Sequence, residues 1–251
     1  MKRRITGTLV SGFLALAASG TEAYGQACPT PDNTIRFDQS MAGVGRLMLG
    51  QELRIVALGS SSTEGAGADK GQSYPERLEA ELRARFPRQG ITVVNSGVGG
   101  EDVDGMMLRL ERDVFAHNPH MVLFQVGTNV VLQGRSVAEA EVKIAEAIRA
   151  IQSRGIEVVL MNAQFAPAVE AKPDAPKMMR VLDEASRAFR LNLIDRHALM
   201  RGWHRKNGIP VSHFTAADNL HMNAWSYDCL AKAIASAFSD SVNRAYARLL
   251  P

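Results

Sequence analysis

Five short apolar segments alternate along the chain with segments of helical periodicity, and this alternation is the strongest constraint on the fold. The predicted strands cover residues 54–58, 91–95, 121–126, 156–161 and 191–194. Apolar strands without polar alternation are typical of a parallel sheet that is buried on both faces. Right-handed crossovers then predict an α/β fold, a three-layer, doubly wound (flavodoxin-like) sheet of about five parallel strands.

Capping signals and apolar spacing predict helices between these strands. Ser73 and Glu76 have the spacing of a capping box, as do Ser136 and Glu139. Residues 202–220 show neither the apolar period of a helix nor that of a strand, so we expect a long irregular stretch before a last helix.

Length and charge narrow the possible classes of protein. With 251 residues, 46% of them hydrophobic, the chain can bury one sizeable core. It carries 29 basic and 26 acidic residues, a net charge of +3, without a basic tract. A nucleic-acid partner is therefore not indicated.

The N-terminus has the pattern of an export signal. Basic residues at positions 2–4 precede an interrupted apolar segment over 5–18, and small residues follow where a signal peptidase could cut. The apolar segment is too short for a membrane span, so we expect no stable membrane insertion after processing. We predict a signal peptide over 1–27, a single domain over 28–251, and a periplasmic or secreted protein.

The chain has two cysteines, Cys28 and Cys229. In an oxidising compartment they could form a disulfide between the mature N-terminus and a helix near the C-terminus. The alternative is two unrelated buried thiols. Two cysteines at this separation give no metal-binding motif.

Small and polar residues follow three of the predicted strands and recur in the C-terminal loop. Ser61 lies in G-S-S-S-T-E-G, residues 95–101 read N-S-G-V-G-G-E, residues 127–129 read G-T-N, and residues 218–221 read D-N-L-H. The carboxyl ends of parallel strands meet at one edge of a sheet. A hydroxyl, exposed backbone N–H groups, an amide and an Asp/His pair at one edge are the groups that acyl transfer needs.

Each of these patterns also has a structural interpretation. The glycine-rich segment lacks the G-x-G-x-x-G spacing of a dinucleotide loop. Asn129 could cap a loop, and Asp218 could cap a turn. His197, His204 and His213 compete as bases, although none of them has an aspartate three residues upstream.

Taken together, the four segments resemble the blocks of the SGNH (GDSL-type) hydrolases. G-S-S-S-T is similar to the block G-D-S-x-T, and N-S-G-V-G-G-E to the glycine block. G-T-N-V and D-N-L-H are similar to G-x-N-D and D-x-x-H. The resemblance runs from Leu53 to Phe238 and implies an SGNH-hydrolase type of fold and an exported serine esterase.

The resemblance assigns a role to each matching residue. It implies that Ser61 is the nucleophile, that His221 is the base, and that Asp218 fixes the tautomer of the imidazole. It also implies an oxyanion hole formed by the N–H of Ser61, the N–H of Gly100 and the side-chain amide of Asn129. No metal and no cofactor is expected.

Two positions depart from the family pattern, because Ser60 and Val130 stand where the blocks have aspartates. Neither aspartate belongs to the triad, so the reaction class should be unaffected. Val130 is predicted to form an apolar wall of the substrate site. Gln164 and Phe165, which follow the fourth strand, are predicted to contact substrate.

The predicted function is hydrolysis of a carboxylic ester through an acyl-enzyme, with a small-molecule or glycan ester as substrate. Exported members of the family often deacetylate glycans, so an O-acetyl group on a carbohydrate is the favoured substrate, by analogy alone. The alternatives are a lipid or thioester hydrolase, a periplasmic O-acyltransferase with the same triad, and an inactive glycan-binding module.

Overall fold

The computed structural model of the protein describes residues 27–29 and 35–249. Five strands form one sheet in the order β2-β1-β3-β4-β5, with every neighbouring pair parallel. The strands are β1 (Leu53–Gly59), β2 (Ile91–Gly97), β3 (Met121–Gln125), β4 (Glu157–Met161) and β5 (Asn192–Ile194). This order is that of a flavodoxin-like doubly wound sheet, which confirms the predicted fold class.

Helices connect the strands and cover both faces of the sheet. They are α1 (Ala42–Met48), α2 (Ser61–Glu64), α3 (Tyr74–Arg85), α4 (Val103–Leu108), α5 (Leu110–Asp113), a 3₁₀ helix (Phe115–His117), α6 (Thr128–Leu132), α7 (Val137–Gln152), α8 (Pro167–Glu170), α9 (Ala175–Ala188), α10 (Arg196–Arg205), α11 (Val211–Phe214) and α12 (Ala224–Ala247).

Two apolar clusters lie on opposite faces of the sheet. Successive side chains of a strand point to opposite faces, and in β1 Ile55 and Ala57 pack towards α1, α3 and α12. Val56 and Leu58 pack towards α4, α7 and α9 on the other face. The alternation of strands and amphipathic helices thus produces three layers with a core on each side of the sheet.

The segment expected to be irregular is partly helical, so that prediction is wrong where α10 and α11 run. Asp195 caps the start of helix α10: its Oδ1 accepts a hydrogen bond of 2.9 Å from the N–H of Ala198. The helix is stabilised by burial of one face, which Leu199, Met200 and Trp203 form. Helix α1, before the first strand, is a further element that the sequence patterns did not indicate.

Cys28 and Cys229 form a disulfide that joins the first described residues to α12, with 5.4 Å between the two Cα atoms.

The predicted export signal falls almost entirely on residues 1–26, which lie outside the described residues. No helix in the described part of the chain is both long enough and apolar enough to span a membrane.

Candidate active site

The turn after β1 is held by a buried glutamine of the neighbouring strand. Gln125 Oε1 accepts hydrogen bonds from the N–H of Ser60 at 2.9 Å, from Ser60 Oγ at 3.1 Å and from Thr63 Oγ1 at 3.1 Å. The Gln125 side chain is 0% exposed. Ser61 begins α2 inside this turn, so the position of its hydroxyl is fixed relative to β3. The sequence signal for Gln125 was a polar residue at the end of an otherwise apolar strand.

Close approach of backbones brings the ends of β1 and β2 against α2. A Cβ added at Gly97 would lie 2.0 Å from the backbone nitrogen of Glu64, which no side chain can tolerate. The glycine therefore lets β2 end directly against the helix that carries Ser61.

A chain of hydrogen bonds connects Ser61 with the D-x-x-H segment. His221 Nε2 lies 2.8 Å from Ser61 Oγ, and His221 Nδ1 lies 2.5 Å from Asp218 Oδ2. Asp218 Oδ1 accepts 2.9 Å hydrogen bonds from the N–H groups of Leu220 and His221. The two backbone bonds orient the carboxylate towards the imidazole, so serine, histidine and aspartate adopt the arrangement that activates a hydroxyl nucleophile.

The carboxyl group of Asp218 is stabilised in its charged form. Its partial burial favours the protonated acid, but hydrogen bonds from the His221 ring and from the N–H groups of His221 and Leu220 outweigh burial. Together they hold the pKa of Asp218 below its ordinary value. The carboxylate is therefore ionised at neutral pH and can stabilise an imidazolium at His221.

The competing histidines make other contacts. His197 Nε2 lies 2.8 Å from Glu170 Oε1, and His204 Nδ1 lies 3.1 Å from a main-chain carbonyl. His213 packs edge-on against Trp225, with 4.8 Å between ring centroids. Among the described residues, no group of three or more His, Cys, Asp or Glu side chains is arranged to hold a metal ion.

The loop after β2 and the start of α6 bring together the predicted oxyanion donors. Gly100 has φ +78°, a conformation that favours glycine, and a Cβ there would meet no atom within 4 Å. Asn129 Nδ2 donates to the main-chain oxygen of Glu101 at 2.7 Å, and Gln133 Nε2 donates to that of Gly100 at 2.8 Å. An amide group has two N–H donors, so one N–H of Asn129 remains for a substrate oxygen.

A buried arginine holds this loop to the sheet. Arg109, 5% exposed, donates from Nε to Glu101 Oε2 at 2.6 Å. Its Nη1 donates to Ser96 O at 2.9 Å and to Asp113 Oδ2 at 3.2 Å, and its Nη2 donates to Gly59 O at 2.9 Å. Sequence reasoning missed Arg109, which also marks the break between α4 and α5.

Two of the predicted substrate contacts are wrong. Val130 is 1% exposed and packs in the apolar cluster under α4, α7 and α9, because the first turn of α6 directs it towards the core. Gln164, also 1% exposed, donates from Nε2 to the main-chain oxygen of Leu220 at 3.1 Å. Its Oε1 accepts from Arg196 Nη2 at 3.0 Å. Gln164 therefore supports the loop that carries Asp218 and does not face an open cavity.

Phe165 is half-buried at the surface of the fold. Its ring lies edge-on to the ring of His197 at 5.5 Å between centroids and stacks on the ring of His204 at 6.1 Å. Its role as a substrate contact stays a prediction.

A comparison with families of known proteins identifies the chain. The sequence model of the non-GDSL lipase-like family matches residues 27–244. The chain belongs to this family. The match confirms the resemblance to SGNH-type hydrolases, and Ser60 stands where a G-D-S-L segment has its aspartate.

Individual relatives of this non-GDSL lipase-like chain are distant. It is 26% identical over 114 residues to an arylesterase of Vibrio mimicus, covering 45% of this chain and 56% of that protein. It is 32% identical over 85 residues to an acetylxylan esterase of Geobacillus stearothermophilus, covering 34% of this chain and 39% of that protein. The chain thus spans about half the length of the curated relatives it matches.

Solved structures share the fold. A two-domain esterase active on acetylated mannans superposes with a TM-score of 0.65 at 21% identity, over 80% of this chain and 52% of that chain. At this level of identity the similarity concerns the fold, which agrees with the parallel five-stranded sheet described above.

Proposed function

We propose that this non-GDSL lipase-like protein is a serine hydrolase of carboxylic esters that acts through an acyl-enzyme. The observation that carries the proposal is the chain of hydrogen bonds from Ser61 through His221 to Asp218, with distances of 2.8 and 2.5 Å. Such a chain joins a nucleophile, a base and the group that orients the base. Esterase names among the distant relatives support the same reaction class.

In the first half of the reaction, Ser61 Oγ attacks the ester carbonyl carbon and His221 Nε2 takes the hydroxyl proton. Asp218 accepts the Nδ1–H bond and stabilises the imidazolium that forms. The carbonyl oxygen becomes an oxyanion. When the tetrahedral intermediate collapses, the C–O bond to the alcohol breaks, and His221 donates its proton to the leaving alcohol.

In the second half, water replaces the alcohol. His221 takes a proton from the water, whose oxygen attacks the acyl carbon, and the bond to Ser61 Oγ breaks as the serine is reprotonated. The N–H groups of Ser61 and Gly100 and the amide of Asn129 are the proposed donors to the oxyanion in both halves. One such donor contributes about 3–4 kcal/mol of barrier reduction.

The proposed substrate is an O-acetyl group on a carbohydrate. Support comes from a relative named for acetylxylan and from a fold neighbour described as active on acetylated mannans. We further propose that the reaction takes place outside the cytoplasm, in a single domain over residues 28–251, after removal of an export signal over 1–27. The disulfide is consistent with that compartment.

Modification and substitution of the nucleophile test the proposal. A p-nitrophenyl acyl-chain series measures esterase activity and acyl preference, and an organophosphonate labels the nucleophile. We expect labelling at Ser61 and loss of nearly all activity in Ser61→Ala, whereas Ser153→Ala, an exposed serine at the end of α7, keeps wild-type activity. Labelling at Ser60 or Ser62 would overturn the assignment. Product analysis with and without a glycan acceptor distinguishes hydrolysis from acyl transfer.

A further inference from the structure

A cavity of about 510 Å³ lies beside the loop that carries His221. Its lining includes Gly67, where an added Cβ would lie 3.1 Å from the Cβ of His221 and 2.2 Å from the main-chain oxygen of Met222. It continues to Asn223 and Trp225, two and four residues after His221. The cavity is therefore adjacent to the proposed base.

The lining combines an oriented aromatic ring with polar side chains. Trp225 is half-buried, and its ring makes edge-on contacts with Trp203 at 5.1 Å and with His213 at 4.8 Å between centroids. Asp69 is exposed and Gln72 is half-buried. Neither the carboxylate of Asp69 nor the amide of Gln72 hydrogen-bonds to another residue within the described chain, so both can bind a ligand.

The position of the cavity indicates which half of the substrate it receives. His221 must protonate the leaving oxygen, so the alcohol half of the ester lies on the His221 side of the reacting carbon. The carbonyl oxygen points instead towards the proposed donors Gly100 and Asn129. A cavity that lies beside the segment carrying His221 is therefore placed to hold the alcohol.

We propose that Trp225, Asp69 and Gln72 form a subsite for the sugar ring that bears the ester, an inference that rests on the proposed function. The C–H face of a pyranose can pack on the indole ring, while its hydroxyls bind the carboxylate and the amide. A simple aliphatic alcohol would cover these polar groups without replacing their bonds to water. A phosphorylated alcohol would meet the negative charge of Asp69. The lining therefore selects a neutral, hydroxyl-rich alcohol.

Relative activity on two substrates tests the subsite. The measured quantity is kcat/KM for partly acetylated xylo- or manno-oligosaccharides divided by kcat/KM for p-nitrophenyl acetate. We expect the double variant Asp69→Ala/Gln72→Ala to lower this ratio by tenfold or more, mainly because KM for the oligosaccharides rises. The control is Asp240→Ala, which removes an exposed carboxylate about 22 Å further along α12 from Trp225. The control should keep the wild-type ratio.

Fluorescence tests binding without catalysis. The chain has two tryptophans, and Trp203 is 1% exposed, so a change of emission on adding deacetylated oligosaccharide to the Ser61→Ala protein reports on Trp225. We expect a blue shift that is lost in Ser61→Ala/Trp225→Phe, provided that this variant melts as the Ser61→Ala protein does. A shift that persists when Trp225 is replaced would place the sugar elsewhere.

The possible failures are distinguishable. A ratio within twofold of wild type in the double variant overturns the subsite, as does an equal loss on both substrates. Wild-type hydrolysis of p-nitrophenyl acetate without hydrolysis of either acetylated oligosaccharide overturns the carbohydrate substrate and leaves the esterase intact. Absence of activity on every ester, with no organophosphonate labelling, overturns the proposed function itself.

Discussion

Arg109 and Glu101 form an ion pair with 2.6 Å between Nε and Oε2, at the point where the loop after β2 turns towards α4. The same guanidinium donates to the main-chain oxygens of Gly59 and Ser96, close to the carboxyl ends of β1 and β2. The main-chain oxygen of Glu101 in turn accepts from the amide of Asn129. One buried side chain thus connects two strands with the loop that carries Gly100, one proposed oxyanion donor, and that contacts Asn129, another.

The first prediction concerns this connection. Arg109→Lys keeps the positive charge but loses the planar guanidinium group, which donates hydrogen bonds to several acceptors at once. Displacement of the oxyanion loop by about 1 Å should lower kcat on p-nitrophenyl acetate by roughly 10–100-fold with little change in KM. The matched control is Arg154→Lys, at an exposed arginine paired with Glu111, which should retain wild-type kcat. An increase in KM at unchanged kcat would contradict a positioning role for Arg109.

The second prediction concerns Asn129. Its alanine variant should lower kcat by roughly 10²–10³ with little change in KM, because the bond to the oxygen strengthens only as negative charge develops. Gln133→Ala removes a neighbouring amide that donates to the oxygen of Gly100, and its effect on kcat should be smaller. If the Asn129 variant changes only KM, the amide binds ground-state substrate and is not an oxyanion donor.

The third prediction orders the members of the proposed triad. His221→Ala removes the base and should approach the residual activity of Ser61→Ala. Asp218→Ala leaves the imidazole in place but wrongly oriented. The loss of activity in this variant should be large, but no larger than the loss in His221→Ala, since the three groups act as a unit. His117→Ala, an exposed histidine before β3, serves as control. An inactive His213→Ala beside an active His221→Ala would show that the base is misassigned.

The fold could be predicted from the sequence because its signals are local. A strand such as β3 is apolar at every buried position until Gln125, and α7 keeps apolar spacing from its cap at Ser136. The residues of the proposed triad could be named from short motifs: Ser61 follows the first strand, and Asp218 and His221 share one D-x-x-H segment before the last helix. Helix α10 was missed although Asp195 is a good capping residue, because its apolar face consists of only three residues, Leu199, Met200 and Trp203, with Gly202 among them.

The supporting contacts of the site could not be predicted in the same way. Arg109 and Gln164 act through main-chain oxygens of segments 13 to 56 residues away in sequence, and spacing carries no information about such pairs. Whether Val130 faces the crevice or the core depends on the direction of the first turn of α6. That direction is set by packing of the helix and not by the motif.

The fourth prediction concerns the disulfide between Cys28 and Cys229, which closes a loop with a sequence separation of 201. In the chain-entropy model such a cross-link stabilises the fold by up to about 5 kcal/mol. Reduction, or the double variant Cys28→Ser/Cys229→Ser, should therefore lower Tm, by roughly 2–4 °C for each kcal/mol lost. Non-reducing peptide mapping of the exported protein should recover the linked peptides. Two free thiols in that material would contradict the prediction.

The last prediction is a pH dependence of stability that originates at Glu157. Burial raises the pKa of this carboxyl to about 7, although the N–H groups of Gly43 and Ala42 favour the charged form. The folded state therefore binds the proton more tightly than the unfolded state, whose glutamate pKa is about 4.3. This stabilisation is complete below about pH 4 and is lost as pH rises through about 7. The free energy of unfolding should fall by up to about 3 kcal/mol over that range.

The variant Glu157→Gln tests this dependence. It keeps an oxygen for the Gly43 N–H and cannot ionise, so its Tm should match that of wild type at pH 4 and exceed it at pH 8. Glu146→Gln, at an exposed position of α7, controls for net charge, and parallel curves for wild type and Glu157→Gln would refute the assignment.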